Sequence, residues 1–274
     1  MRLRWGIIAL LGFACAVHAE ENRFPRVADA YLVKRDGRVL WASGEEQRHA
    51  PASLTKMMTA LLVLEGGKLE DPVVVSRAAS RQSGSHIGLR AADQLRARDL
   101  LAATIMHSAN DACRALADYY GGPIFVARMN QRAITLGLRN THFVDPCGHD
   151  RPGQYTTATD LARLAEQVLQ HPEYQHIASI RETTIRTLDG RRSFHLRNTN
   201  ALVGRYEGTI GVKTGTTGMA GYCVVAAAER NNSRVIVVLL NAPHRWRVAP
   251  RLLDQAFGEQ PTTISVSASP SHVR

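Results

Sequence analysis

Two polar side chains in "PASLTKMMTALLVLEGG" (residues 51–67) are spaced to act together. Ser53 and Lys56 stand three residues apart, and on a helix that spacing puts both side chains on one face. A serine hydroxyl becomes a nucleophile when a base removes its proton, and lysine can be that base only when neutral. A positive helix terminus and a second cation nearby would both lower the pKa of Lys56. The pair therefore predicts a serine nucleophile with a lysine base.

Lysine is scarce in this chain, and its scarcity gives Lys56 more weight. The 274 residues include 30 arginines but only four lysines, and arginine cannot act as a base because it stays protonated in proteins. The competing interpretation is a helix cap followed by a surface lysine. An S-x-x-K pattern occurs by chance about once in a chain of this length, so this motif is weak by itself.

A second motif, "HSANDACRAL", places Ser108 and Asn110 where a loop is predicted to meet a helix. Both residue types cap helices, so a purely structural interpretation stands beside the chemical one. In the chemical interpretation Ser108 relays a proton and the Asn110 amide orients the substrate. This motif is also weak when it is taken alone.

A third motif, "GVKTGTTGMAGYC", combines a cation, two hydroxyls and a glycine. Lys213, Thr214 and Thr216 could together hold a carboxylate. Gly215, at the edge of a strand predicted to follow, would let a ligand backbone approach closely. A Lys-Thr-Gly triplet arises by chance in about one chain in ten or fewer, so this motif is more informative than the first two.

The order of sequence patterns predicts how these motifs are brought together. Strand-like segments turn at Asp36-Gly37 and at Asn231-Asn232, which are typical hairpin turns. The two hairpins can share one antiparallel sheet whose faces are covered by helices, so the predicted fold class is α+β. The predicted elements are a hairpin over 27–42, a helix over 51–65, a mostly helical segment over 91–170, a hairpin over 221–242 and a closing helix over 247–257.

The two ends of the chain predict an exported protein. Residues 1–19 contain two arginines, then an apolar run, and end in a small residue, a pattern typical of a secretory signal peptide. A lipoprotein signal using Cys15 is the weaker alternative, because the usual leucine three residues earlier is absent. The catalytic domain is expected over 20–258, and the polar tail over 259–274 is expected to be disordered.

Charge and composition restrict the partners. The formal net charge is +10, but nucleic acid is a poor partner for an exported protein, and an anionic wall polymer or membrane surface suits the charge better. No stretch after the signal has 18 consecutive apolar residues, so no membrane span is predicted. The eleven histidines show no zinc-like spacing, and we expect no metal, no cofactor and a monomer.

The cysteines and one histidine leave structural questions open. Cys113, Cys147 and Cys223 would remain after export, and an odd number leaves at least one thiol unpaired. One disulfide is compatible with an oxidising compartment, and buried free thiols are equally compatible. His107 adjoins the second motif, where a packing or supporting role is expected.

The three motifs together, S-x-x-K, S-x-N and K-T-G in this order, resemble the signature of the penicillin-recognising serine enzymes. The surrounding segments "FVDPCG", "TTATDLARLA" and "RNTN" make the chain similar to the low-molecular-weight D-alanyl-D-alanine carboxypeptidases, over residues 28–257. The resemblance implies a β-lactamase/transpeptidase-like fold with a mostly helical middle subdomain. Ala109 departs from many relatives, which carry glycine there. Many relatives also add a C-terminal β domain and an amphipathic helix, where this chain has a polar tail.

Catalytic roles follow from the resemblance, residue by residue. It implies that Ser53 attacks the carbonyl of the penultimate D-Ala and forms an acyl-enzyme, with Lys56 as the general base. It implies that Ser108, helped by the charge of Lys213, passes a proton to the leaving D-Ala nitrogen. The expected partners are peptidoglycan stem peptides that end in D-Ala-D-Ala, and β-lactam antibiotics that acylate the same serine.

Binding roles are implied in the same way. Asn110 would bind a substrate amide, while Lys213, Thr214 and Thr216 would receive the terminal carboxylate. The backbone N–H groups of Ser53 and Thr216 would form an oxyanion hole, a device worth ~3 kcal/mol per donor.

Three other functions compete with a carboxypeptidase. A DD-endopeptidase that cuts peptidoglycan cross-links would use the same residues. A class A β-lactamase would need a glutamate in an E-x-x-L-N motif, but no glutamate lies between Glu70 and Glu166, and Glu166 lacks the Leu-Asn that should follow. A non-catalytic binding module is disfavoured by the intact Ser53, Lys56 and Ser108.

Overall fold

A five-stranded antiparallel sheet forms the centre of the protein. The computed structural model describes residue 24 and residues 27–258, and the predicted signal peptide and tail lie outside this part of the chain. The strands of the described residues are β1 (Ala30–Arg35), β2 (Arg38–Ser43), β3 (Pro72–Val74), β4 (Gln94–Arg96), β5 (Glu182–Arg186), β6 (Ser193–Arg197), β7 (Thr209–Thr217), β8 (Gly221–Arg230) and β9 (Ser233–Leu240). The five-stranded sheet has the strand order β2-β1-β9-β8-β7.

Helices cover both faces of this sheet. On β8, Val224 and Ala226 pack with the last helix, whereas Val225 and Ala227 pack with the helices of the middle segment. Successive strand residues point to opposite faces, so a continuous apolar run is what a sheet buried on both sides requires. The helices are α1 (Lys56–Gly66), α2 (Arg77–Ser80), α3 (Ala97–Met106), α4 (Asn110–Tyr120), α5 (Phe125–Thr135), α6 (Ala158–Val168), α7 (Pro172–Ser179) and α8 (Arg245–Phe257).

Both predicted hairpins and the shared sheet are confirmed. Asp36 and Gly37 join β1 to β2, and Asn231 and Asn232 join β8 to β9. All four have positive φ, between 48° and 82°, as a two-residue type I′ turn requires. Asparagine, aspartate and glycine adopt this conformation at the least cost, which is why the turns could be read from the sequence.

Two small two-stranded sheets were not predicted. The strands β3 and β4 have three residues each, with Val73 opposite Leu95, and β5 and β6 pair with Thr184 opposite His195. A strand of three residues is too short to display a period, and β5 and β6 expose most of their side chains.

The third motif also lies differently from the prediction. Lys213, Thr214 and Gly215 are inside β7, not ahead of a strand, and β7 is the edge strand of the sheet. One edge of this motif is therefore open to a ligand. Within the described residues, no helix is long and apolar enough to cross a membrane.

Candidate active site

Ser53 lies on a short 3-10 turn, Ala52–Thr55, that leads directly into α1. The turn is held between two glycines. A Cβ atom on Gly148 would stand 1.9 Å from the Ala52 carbonyl oxygen, and one on Gly215 would stand 3.2 Å from the Ser53 nitrogen. Glycine is therefore required at 148, and at 215 it lets the edge strand run beside the Ser53 backbone. The Ser53 side chain remains partly exposed between them.

Lys56 begins α1 and is fully buried beneath Ser53. Its Nζ atom donates to Ser53 Oγ at 2.9 Å and to Asn110 Oδ1 at 2.7 Å. It also donates to the backbone carbonyl oxygen of Cys147. Three oxygens from three separate segments therefore surround the amine, and one of them is the candidate nucleophile.

Burial sets the protonation of this lysine. Removal from water lowers the pKa of Lys56 from its ordinary value to about 7, against an opposing effect of the Asp145 carboxylate. Burial is thus the main cause of the lowered pKa of Lys56, in place of the helix terminus and second cation expected from the sequence. An amine with this pKa is neutral in a large fraction of molecules at neutral pH, so it can accept a proton from Ser53 Oγ, 2.9 Å away.

Ser108 and Lys213 form a second buried pair, and the Lys213 amine is close enough to Lys56 for their charges to interact. Ser108 lies between α3 and α4 with a φ of 61°, a conformation that is uncommon for serine. Lys213 Nζ donates to Ser108 Oγ at 2.9 Å and to the Thr214 carbonyl at 3.0 Å. Burial holds the pKa of Lys213 well below its ordinary value, and the charges of Lys56 and Arg245 lower it further.

Asn110 is the first residue of α4 and connects Lys56 to Ser83 and His149, neither of which is among the predicted site residues. Its Nδ2 donates to the Ser83 carbonyl at 2.6 Å and lies 3.2 Å from His149 Nε2. His149 Nδ1 in turn lies 3.1 Å from Asp145 Oδ1. His149 therefore contacts Asn110, one of the predicted site residues.

His107, the histidine next to the second motif, is half-buried, and its packing or supporting role stays a prediction. Its Nδ1 atom is buried and finds no hydrogen-bond partner among the described residues. Burial also lowers the pKa of His107, which favours the neutral ring. The signal that could have led to His149 is its place directly after "FVDPCG", a segment already quoted as family-like.

The carboxylate-binding candidates line β7, together with two residues that the sequence analysis missed. Thr214 is buried, and its Oγ1 lies 2.7 Å from Thr199 Oγ1. Arg245, the first residue of α8, donates to the Gly215 carbonyl at 2.8 Å and to Thr216 Oγ1 at 3.0 Å. Thr199 belongs to the quoted segment "RNTN", but Arg245 is one of 30 arginines and carried no signal of its own.

Hydrogen bonds, adjacency along β7 and the close approach of Gly215 to Ser53 link the eight predicted site residues. The set of contacts matches what an acyl-transfer enzyme needs: a nucleophile, a base of suitable pKa, a hydroxyl relay and a basic edge strand. A model of the family described as D-alanyl-D-alanine carboxypeptidase, peptidase S11, matches residues 25–244. This chain belongs to that family.

Individual members of the D-alanyl-D-alanine carboxypeptidase family agree with this assignment. The chain is 36% identical over 272 residues to DacF of Bacillus subtilis, covering 93% of this chain and 70% of the relative. It is 34% identical to a D-alanyl-D-alanine endopeptidase of Pseudomonas aeruginosa, covering 75% of this chain and 68% of the relative. Among solved structures, the Streptomyces K15 DD-transpeptidase superposes with a TM-score of 0.80 at 30% identity, covering 85% and 97% of the two chains.

Some family members are considerably longer than the matched region. The chain spans only 58% of the length of DacC of Escherichia coli, to which it is 37% identical over 239 residues. The solved K15 structure matches over almost its whole length. The predicted fold is thereby confirmed, since the β-lactamase/transpeptidase-like arrangement is shared with that structure.

Proposed function

We propose that the protein is a serine DD-carboxypeptidase that removes the terminal D-Ala from peptidoglycan stem peptides. The observation that carries this proposal is the contact between Ser53 and Lys56. A fully buried lysine whose pKa is about 7 lies 2.9 Å from the hydroxyl of a partly exposed serine. A surface lysine beside a cap serine would retain its ordinary pKa and could not act as a base.

Acylation begins when neutral Lys56 takes the proton of Ser53 Oγ, and the oxygen attacks the carbonyl carbon of the penultimate D-Ala. The backbone N–H groups of Ser53 and Thr216 are assigned to the negative oxygen of the tetrahedral intermediate. The carbon–nitrogen bond then breaks, and the leaving D-Ala nitrogen receives a proton from Ser108. Ser108 takes a replacement from Lys213, whose Nζ is 2.9 Å away.

Lys213 must be protonated for that step although burial lowers its pKa. The substrate supplies the reason, because a terminal carboxylate placed near Lys213 favours the charged amine. Deacylation reverses both transfers: a water molecule gives its proton through Ser108 to Lys213, and Lys56 returns its proton to Ser53 Oγ. The two lysines then regain their starting states, so protons balance over the cycle.

The side of the site formed by β7 and Arg245 is assigned to the terminal carboxylate of the substrate. Thr216 Oγ1 lies within reach of Arg245, and Lys213 lies behind them, so the substrate anion would meet two cations. Thr214 acts from deeper in the site, since its hydroxyl is bonded to Thr199. Asn110 is assigned to a substrate amide. These contacts favour peptides with a free C-terminal carboxylate.

Hydrolysis of penicillin is expected to be slow. Glu166 pairs with Lys34 at 2.6 Å, and Asp145 Oδ1 accepts the backbone N–H groups of Cys147 and Gly148. Asp150 accepts the N–H of Met219. These carboxylates are engaged in structural contacts, and general-base assistance is typically worth 10²–10⁴-fold. We therefore propose that penicillin acylates Ser53 and leaves slowly, over minutes or longer.

The experiment for this function separates three outcomes on the same protein. Defined monomeric and cross-linked muropeptides are digested, and the products are weighed by mass spectrometry beside a Ser53→Ala control. We expect loss of one D-Ala from monomers. Cleavage of cross-links alone would make the protein an endopeptidase, and joining of peptides without D-Ala hydrolysis would make it a transpeptidase. Loss of a penicillin adduct within about a second would favour a β-lactamase.

We also propose export to the periplasm or cell wall, with a role in cell-wall remodelling and cell shape. The support is the signal-like pattern over residues 1–19 and the nature of the proposed substrate. Cell fractionation tests it: the protein should leave the membrane fraction in high salt and begin after residue 19. Retention in the membrane after that wash would favour the lipid anchor at Cys15.

A further inference from the structure

Two of the oxygens that accept hydrogen bonds from Lys56 belong to segments joined by a disulfide. One is Oδ1 of Asn110, on the first turn of α4, and the other is the backbone carbonyl of Cys147. Cys113 follows Asn110 by three residues on the same helix and forms a disulfide with Cys147, with 5.9 Å between the two Cα atoms. The bond is fully buried. The Cys147 carbonyl therefore belongs to a residue that is covalently tied to the helix carrying Asn110.

The number of N–H donors on Lys56 explains how the disulfide could affect the reaction. A neutral lysine has two N–H donors and one lone pair, whereas the charged form has three donors. If the two donors point at Asn110 Oδ1 and the Cys147 carbonyl, the lone pair is left facing Ser53 Oγ, 2.9 Å away. The two acceptors thus determine which way the base points.

The loop that carries Cys147 also covers the base. Its carbonyl at Pro146 accepts from Thr59 Oγ1 at 2.5 Å, and Gly148 lies against the turn that carries Ser53. The charged groups acting on Lys56 are Asp145 from this loop and Lys213 from β7, and His149 bonds to Asp145. A loop displaced from α4 would turn the lone pair away from Ser53 and admit water to the lysine.

We propose that the Cys113–Cys147 disulfide is a positioning device for the general base: it holds the Asn110 amide and the Cys147 carbonyl so that the Lys56 lone pair faces Ser53. The inference rests on the proposed acyl-transfer function and extends it to residues that do not touch the substrate. The sequence left the state of these cysteines open, and nothing in the three motifs assigns them a part in the reaction.

The test removes the disulfide but keeps the hydrogen-bond acceptor for Lys56, because that acceptor is the backbone carbonyl oxygen of residue 147. The double variant Cys113→Ser/Cys147→Ser is compared with the oxidised parent, and Cys223→Ser is the control for loss of a buried thiol that is not part of the disulfide. The readout is the second-order rate of acylation by a fluorescent penicillin between pH 5 and pH 10. Folding is followed by circular dichroism and by the melting temperature.

The double variant should melt at a lower temperature and, while still folded, acylate more slowly by on the order of tenfold, the scale of a small misplacement of a reacting group. Its rate profile should shift to higher pH, because burial is what lowers the Lys56 pKa. Cys223→Ser should keep the parent rate and profile. A folded double variant with the parent's rate and profile would reduce the disulfide to a stability element.

Two further measurements keep the inference open to refutation. If the double variant does not fold, the parent is reduced with dithiothreitol, alkylated and assayed in the same way, and restored activity after reoxidation is expected of the unalkylated sample. Mass spectrometry of the alkylated, non-reduced parent should find Cys223 alkylated and Cys113 joined to Cys147, and alkylation of Cys113 and Cys147 would overturn the proposal. Acylation by penicillin without D-Ala release would refute the carboxypeptidase function and leave this test intact.

Discussion

The two sides of the candidate active site each bury a lysine, but they surround it differently. On the helix side, Lys56 has three oxygen acceptors and a carboxylate, Asp145, that partly offsets the effect of burial on its pKa. On the strand side, Lys213 has two oxygen acceptors, and the nearby charges are cations. The first environment suits a base that alternates between two protonation states. The second lacks an anion, which a substrate carboxylate would supply.

The comparison shows how two buried lysines can serve different steps of one reaction. Both lysines lose their solvation, and their neighbours then decide what each can do. The helix side holds the reacting atoms in fixed positions through α1 and α4. The strand side presents an open edge, and a free edge can receive an extended peptide. Variants on the two sides should accordingly fail in different ways.

The largest effect should come from the nucleophile. Ser53→Ala should abolish both D-Ala release and covalent labelling by fluorescent penicillin, because no other hydroxyl lies within reach of Lys56 among the described contacts. Ser80→Ala, at a partly exposed serine on α2, is the matched control and should label like the parent. Labelling of the Ser53 variant would refute the assignment.

Lys56→Arg should be nearly as severe, although it keeps the charge and most of the length. Arginine stays protonated and so cannot take the Ser53 proton. We expect kcat to fall below about 10% of the parent value, measured as D-Ala release at saturating peptide. Lys68→Arg, at an exposed lysine, should be neutral. A Lys56→Arg enzyme with higher activity would make Lys56 a structural residue.

Changes on the strand side should be milder and should depend on the substrate's carboxylate. Thr216→Val removes a hydroxyl next to Arg245 but keeps the backbone N–H. A hydrogen bond to a charged group is worth about 1.5–3 kcal/mol, so kcat/KM should fall about tenfold or more. With a peptide that ends in a carboxamide the loss should be smaller. Equal losses on both peptides would contradict a carboxylate site, and Thr184→Val on β5 is the control.

The smallest effect is the pH dependence of acylation near neutrality. Lys56 must lose its proton to act as a base, so the rate should rise with pH and reach half its plateau near pH 7, where its pKa lies. Between pH 8 and pH 7 the rate should fall only about twofold, and below pH 6 it should fall about tenfold per unit. A midpoint near the ordinary lysine value would show that burial does not control this group.

Much of the fold was predictable because its signals are local. Hairpin turns at Asp36-Gly37 and Asn231-Asn232 need residues that tolerate positive φ, and the apolar run of β8 has the length of a buried strand. The helix of the first motif was found as well, although α1 begins at Lys56 after a 3-10 turn. The short strands β3 and β4 were missed because three residues carry no period.

The candidate site was also predictable only where its signals are local. The sequence predicts the eight candidate residues, since three motifs in fixed order are more specific than any one of them. It did not determine the neighbours that the motifs do not contain: the histidine at 149, the arginine at 245, or the pairing of Cys113 with Cys147. Such contacts join distant parts of the chain, and a local pattern has no information about them.

The clearest case is Lys56 itself. The sequence by itself determined that a lysine follows Ser53 by three residues at the start of a helix. Only the tertiary structure decided what that lysine can do, because its acceptors Asn110 and Cys147 stand 54 and 91 residues further along the chain. Folding brings these segments over the amine and excludes water from it. That exclusion lowers the pKa of Lys56 to about 7 and turns an ordinary cation into a base.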